Sequence, residues 1–208
     1  MRSILLLAPR GDGAPGALDA ALTLVLTDSG LDAVVASAFE GAPAFGGPWT
    51  HAVDITHAET GELLPWLETV RPALAGAVDP GSSTIAVGDD VLFFGSPGSI
   101  RIFYAVERAP DLTFEAFVTV WRDEHIKYVT DTDRASYTQV HVDVEASARS
   151  ARAAGLATNS YDGIALPTFA SDERLLAAVT VNHDPAEDEH LQSITRPEKA
   201  CGVVLRVQ

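Results

Sequence analysis

Gly95-Ser96-Pro97-Gly98-Ser99-Ile100-Arg101-Ile102-Phe103-Tyr104-Ala105-Val106-Glu107 decides how the chain is read. Two glycines, two serines and a proline in a row suit neither strand nor helix, so they form a short linker. The apolar run at 100–107 then starts a strand. Working back from the linker, residues 83–94 read as mostly β, with a hairpin turn at Gly88-Asp89-Asp90. Before them stand a helix at 62–74, carrying Leu63, Leu64, Trp66, Leu67 and Val70, and a strand at 49–56. That strand places Trp49, His51, Val53 and Ile55 on one face. A Gly/Pro-rich loop at 41–48 follows a strand at 33–39. A helix at 18–26 follows Pro15-Gly16 and stops near Ser29-Gly30, and the first strand is 4–8. Working forward, Asp111 to Thr113 caps a helix that runs to about Tyr128, with Glu115 set against the dipole. A strand at 137–144 follows, then an Ala/Arg-rich short helix or mobile excursion at 145–157 and a strand at 163–169. Ser171 caps another helix, an acidic loop or short helical turn covers 183–197, and 201–207 is the last strand.

One β-α-β-β-α-β order thus occurs twice, which implies two tandem ferredoxin-like modules, 1–97 and 98–208, of α+β class. Each module has helices on one face of a four-stranded sheet. The other face needs an apolar cover, and the partner half supplies it. Packing sheet to sheet makes an α/β barrel within one chain.

Hydrophobic residues make up 47% of the 208, enough for a core of that size. No apolar run reaches the roughly 18 residues that cross a bilayer. The N-terminal run is short and broken by Pro9, Arg10 and Gly11, so it reads as a strand rather than an export signal. Cys201 is the single cysteine, which excludes an intrachain disulfide and a cysteine metal cage and suits a reducing cytoplasm. Lys and Arg number 14 against 29 Asp and Glu, a formal net charge of −15 that repels nucleic acid. No nucleic-acid or membrane partner is expected.

Phe114, Phe117, Trp121, His125 and Tyr128 recur at three- and four-residue steps and share one helix face. An ordinary core stripe explains the aromatics equally well. His125 differs, because it is ionisable and lies near a helix C-terminus among aromatics, where it can move protons near neutral pH. On the strand at 137–144, Thr138, Val140, Val142 and Val144 make one face, and Tyr137, Gln139, His141 and Asp143 the other. The polar face is solvated in an open sheet. In a covered barrel it must line a cleft or be paired. The pairs His141/Asp143 and Asp188/His190 match no metal-ligand spacing, and no metal or organic cofactor is expected. Gly11-Asp12-Gly13 lacks the context of a nucleotide loop.

The stretch Phe117-Val118-Thr119-Val120-Trp121-Arg122-Asp123-Glu124-His125 resembles the F-x-x-x-W-x-x-x-H signature of the EthD family. The strand before it and Ala109-Pro110-Asp111-Leu112-Thr113-Phe114-Glu115-Ala116-Phe117 also look like that family. Tyr137-Thr138-Gln139-Val140-His141 resembles its Y-x-Q-x-H strand. Asp162-Gly163-Ile164-Ala165 resembles its DGIAE strand start, with Leu166 where an acidic residue is common. Asp188-Glu189 resembles an acidic pair near its C-terminus. The resemblance covers about 100–208. The helix at 18–26 has neither tryptophan nor histidine, so the first half looks like a degenerate module that replaces the partner subunit of a dimeric α/β barrel.

The resemblance implies a cofactor-independent enzyme of cyclase, dehydratase, isomerase or lyase type, or a monooxygenase, acting on an aromatic or polyketide-like molecule. His125 is the expected principal acid/base and His141 its assistant, both opening onto one hollow. Tyr104, Phe117, Trp121, Tyr128 and Tyr137 shape that hollow, and Asp162 sits at its rim. A homodimer is compatible with this reading. The alternative is a non-catalytic binding protein for haem or a hydrophobic metabolite, and a filled interior would instead indicate a structural partner.

Overall fold

Alternation along β1 (Arg2–Leu7) sets the layers. Ile4 and Leu6 join one buried cluster, while Leu5 and Leu7 join another on the opposite face. In the computed structural model, which describes residues 1–11, 16–26, 30–57, 60–129, 133–181 and 184–208, the first cluster fills the inside of a barrel. Asp12, Gly13, Pro15, Ser29 and His183, which figured in the sequence reading, lie outside the described residues.

The first half runs β1, α1 (Ala17–Leu26), β2 (Asp32–Ser37), β3 (His51–Thr56), α2 (Thr60–Ala77) and β4 (Thr84–Gly95). The second runs β5 (Ile100–Val106), α3 (Phe114–Asp123), β6 (Ser136–Val142), α4 (Val144–Ala154), β7 (Gly163–Phe169), α5 (Asp172–Leu176), α6 (Pro185–Ile194) and β8 (Cys201–Val207). The strands close in the order β1-β3-β2-β8-β5-β7-β6-β4, all neighbours antiparallel. Each half keeps the ferredoxin-like order, and the two sheets join edge to edge into one α+β barrel. The halves meet at two seams. β4 pairs with β6 from Gly88↔Val142 to Gly95↔Ser136, and β2 meets β8 only at Ala36↔Val207 and Ser37↔Arg206.

Side chains fill the barrel interior, including Ile4, Leu6, Phe103, Val140, Ile164 and Leu205, all buried. Each such aliphatic or aromatic group contributes about 1.5–3 kcal/mol relative to exposure. Outside the barrel, α1, α2 and α4 cover the first sheet, and α3, α5 and α6 the second.

Three expectations change, and one open alternative is decided. Residues 84–95 form one strand of 12 residues rather than a hairpin. Its first part pairs with β1 and its last with β6, so a composition that looks like a turn is held straight from both sides. Gly88 is needed for close approach, because a Cβ there would sit 2.1 Å from the His141 carbonyl oxygen. The aromatic helix ends at Asp123, and His125–Lys127 is a 3-10 turn. The 145–157 segment is a helix, α4, capped by Asp143, and it packs on α2 and β4 of the other half. The acidic stretch expected as a loop or short helical turn contains α6, a full helix of 10 residues whose cap is Asp184 with Pro185 in its first turn. No helix among the described residues is long and apolar enough to cross a membrane.

Candidate functional site

α3 begins at Thr113, whose hydroxyl accepts from the Ala116 amide at 3.2 Å. One turn further on, Phe117 and Trp121 stack at 5.3 Å between ring centroids and are fully buried against the second sheet. Gly163 of β7 makes room for them. A Cβ at that position would lie 2.2 Å from the Trp121 ring. The Gly163→Ala variant is therefore expected to lose about 1–3 kcal/mol through overpacking. Urea unfolding followed by tryptophan fluorescence measures it, and an unchanged midpoint would refute the tight fit. Asp162, just before Gly163, is buried and accepts from the Arg108 amide at 2.8 Å as well as from its guanidinium.

Trp121 stands between two cavities. The first, about 310 Å³, lies between the outer face of the second sheet and α6. Tyr104, Tyr137 and Phe169 form aromatic walls, and Phe45 reaches in from the first half, edge-on to Tyr104 at 6.3 Å. A π-helical turn following α5, Ala177–Val181, contributes Ala178 and Val179. The polar groups are His125, Arg134, Glu187 and Asp188. Glu187 grips Arg134 with both carboxylate oxygens, at 2.9 and 3.0 Å.

His125 is 1% exposed. Burial first, then nearby His190 and Arg134, pull its pKa down to about 4, so the ring is neutral at pH 7. Its Nδ1 lies 3.3 Å from Nδ1 of His190 on α6. Tyr128 stacks on a face of the His190 ring, with centroids 4.7 Å apart. Burial, with Asp188 nearby, raises the Tyr104 hydroxyl pKa, and burial raises that of Tyr137.

The second cavity, about 570 Å³, lies at the other side of α3. His141, Asp162, Arg108, Phe114 and Val118 line it. His141 Nε2 bonds to Gln139 Oε1 at 3.2 Å, and Gln139 Nε2 donates to the Trp121 carbonyl at 3.0 Å. Burial, with Arg122 nearby, lowers the His141 pKa.

Among the described residues the two imidazoles expected in one hollow line different cavities, His125 the first and His141 the second. Tyr137, Gln139 and His141 do share one face of β6, under α3. Strand rise places His141 about 13 Å along from Tyr137, however, and Trp121 fills the gap. Of the sequence-selected residues, Tyr104, His125 and Tyr137 line the first cavity, and His141 and Asp162 the second. Phe117 and Trp121 line neither, and Tyr128 backs His190. Sequence reading missed Arg134, Glu187 and Phe45, and noted His190 only as part of a spaced pair. Among the described residues, no three His, Cys, Asp or Glu side chains gather as metal ligands.

No family model matches the chain, and no curated protein matches its sequence. Solved structures do match. An anthrone oxidase-like protein aligns over 100% of this chain and 90% of its own, with a TM-score of 0.67 and 9% identity. The chain has the dimeric α/β-barrel fold. A monooxygenase candidate from Fusobacterium nucleatum subsp. nucleatum ATCC 25586 aligns over 99% of this chain and 91% of its own, with a TM-score of 0.59 and 8% identity. A dye-decolorizing peroxidase from Bacteroides thetaiotaomicron VPI-5482 aligns over 99% and 92%, with a TM-score of 0.53 and 8% identity. At such identities the likeness fixes the dimeric α/β-barrel fold and nothing about the reaction.

Proposed function

We propose that the chain is a small-molecule enzyme in which residues 98–208 are an EthD-like catalytic module and residues 1–97 a lobe in the place of a partner subunit. Its substrate is an aromatic or polyketide-like ketone, and it works without an organic cofactor. The observation that carries this reading is one buried, neutral imidazole in an aromatic-walled cavity beside an arginine.

Neutral His125 takes a proton from the carbon next to the substrate carbonyl. The electron pair moves onto the carbonyl oxygen, and the positive Arg134 guanidinium, held in place by Glu187, stabilises the enolate. The imidazolium then returns the proton elsewhere on the substrate, which gives isomerisation, or supplies it to a departing hydroxyl, which gives dehydration. The low pKa leaves His125 almost wholly unprotonated at pH 7, and the forming enolate raises its basicity when it is needed. Tyr104, Tyr137, Phe45 and Phe169 offer flat apolar contacts to a planar substrate. His141, behind Trp121, takes no part in this proton transfer.

The cavity's volume of 310 Å³ is at the low end of the about 300–1,000 Å³ range for organic ligands, which favours a compact ring system over a tetrapyrrole.

Anthrone, a planar three-ring ketone with an acidic methylene, is the test compound, prompted by the anthrone oxidase-like relative in fold. Under anaerobic conditions in D2O, the protein is expected to bind it saturably and to speed loss of the methylene signal in proton NMR. Saturable binding with exchange no faster than in buffer would remove the acid–base step. Absence of binding would remove the substrate class.

A further inference from the structure

His125 and His190 come from segments 65 positions apart and meet edge to edge. Their ring centroids are 5.4 Å apart and their planes 21° from parallel. Beyond the 3.3 Å between the two Nδ1 atoms, that leaves about one ring radius at each end. The nitrogens therefore point at each other nearly in line. Two such nitrogens can bond only if one carries a hydrogen and the other does not. Each arrangement also fixes the far nitrogen of each ring. If His125 holds the bridging hydrogen, its Nε2 is bare. If His190 holds it, His125 Nε2 carries a hydrogen and cannot accept another.

We infer that His190 is a positioning residue that accepts the His125 Nδ1–H and thereby keeps His125 Nε2 bare for the substrate's proton. The inference rests on His125 being the base. The contact itself is independent of that reading, through the in-line approach, the burial of His125 and the Tyr128 ring stacked on a face of His190 at 4.7 Å; the direction of the bond follows from the base needing a bare Nε2. Once His125 has taken a proton, both its nitrogens carry hydrogens. The Nδ1–H still points at His190, so the proton received from the substrate stays on Nε2, the nitrogen that can pass it on. At 3.3 Å the bond is long for the resting protein, and catalytic hydrogen bonds commonly tighten only when substrate charge develops. The groups around the pair are Arg134 before β6, Glu187 and Asp188 on α6, Tyr104 on β5 and Tyr137 on β6. α6 brings His190 to this bond and Glu187 to Arg134, so one helix orients both the base and the charge that receives the enolate.

The test is nitrogen-15 NMR of protein labelled at histidine, with the His125 signals assigned by their loss in His125→Ala. At pH 7 the wild-type ring is expected to show a protonated Nδ1 and a bare Nε2. In His190→Ala, the His125 signals shift toward the Nε2–H form. Anthrone exchange then falls at least about tenfold while anthrone binding is unchanged, as expected when the partner that sets a tautomer is lost. His190→Gln, which offers an acceptor oxygen, restores the Nδ1–H form and part of the rate. An Nε2–H wild-type ring, or a tautomer indifferent to residue 190, overturns the inference. If wild-type protein does not speed exchange at all, the base assignment fails, and the NMR spectra still decide whether His190 sets the tautomer. Unchanged circular dichroism separates these effects from loss of fold.

Discussion

Asp54→Ala is expected to destabilise the barrel by about 3–5 kcal/mol, the cost of leaving buried charge without its partner. The carboxylate is 4% exposed and accepts from Arg2 Nε and Nη2, both at 2.6 Å, and from the Arg101 guanidinium. Asp54 shares the inward face of β3 with Ala52, so the triad plugs one end of the barrel interior. It also ties β1 and β3 of the first half to β5 of the second. Without Asp54, two guanidinium groups remain with side chains only 15% and 8% exposed. Asp90, 3.7 Å from Arg2 and 30% exposed, is a poor substitute. Arg101 is the more vulnerable of the two, because burial and Arg2 both work against its charge. Its Nε is already buried without a hydrogen-bond partner among the described residues. A loss of that size is a large share of a typical folding free energy of about 5–15 kcal/mol. Urea midpoints measure it. The triple variant Arg2→Met, Asp54→Leu, Arg101→Met removes charge and partner together and is expected to recover most of the loss. A single-variant cost below about 1 kcal/mol would mean that water reaches the triad in solution.

The architecture was legible because two periodicities repeat. Strand alternation separated inward Val140 and Val142 from outward Tyr137, Gln139 and His141, and the barrel uses that split. Helical spacing placed Phe117 and Trp121 on the buried face of α3. It could not place His125, because the helix ends two residues earlier and a 3-10 turn changes the direction of the ring. The neighbourhood of the proposed base was harder still. α6 is acidic and only weakly amphipathic, so nothing local says that Glu187, Asp188 and Leu191 face a cavity or that His190 meets His125. Arg134 lies in irregular chain before β6. These groups become a site only through contacts made across 53 and 65 positions of sequence. Gly-Asp-Asp in β4 misled for a related reason: its composition favours a turn, but two flanking strands impose extension.

Removing the base should show in rate, in pH dependence and in stability. His125→Ala is expected to lower anthrone exchange by about 10²–10⁴, the range for a general base. In the wild type, the rate should stay level from pH 8 down to about 5 and fall by half near pH 4, where His125 takes a proton. Burial, His190 and Arg134 all disfavour the imidazolium, so the fall lies well below the ordinary histidine value of 6.5. Stability follows the same sign. Above pH 6.5 the ring is neutral in both folded and unfolded chains. Between pH 6.5 and about 4 the unfolded chain binds a proton that the folded chain refuses, so wild-type stability declines. By pH 4 the decline from this residue is on the order of 3 kcal/mol. His125→Gln has no such proton to bind. Its stability relative to wild type should therefore improve by that amount between pH 7.5 and pH 4, read from urea midpoints of both proteins. A rate that falls near pH 6.5, or a stability difference that does not change with pH, would place His125 in contact with water. The cavity would then lack the dry, neutral imidazole on which proton abstraction depends.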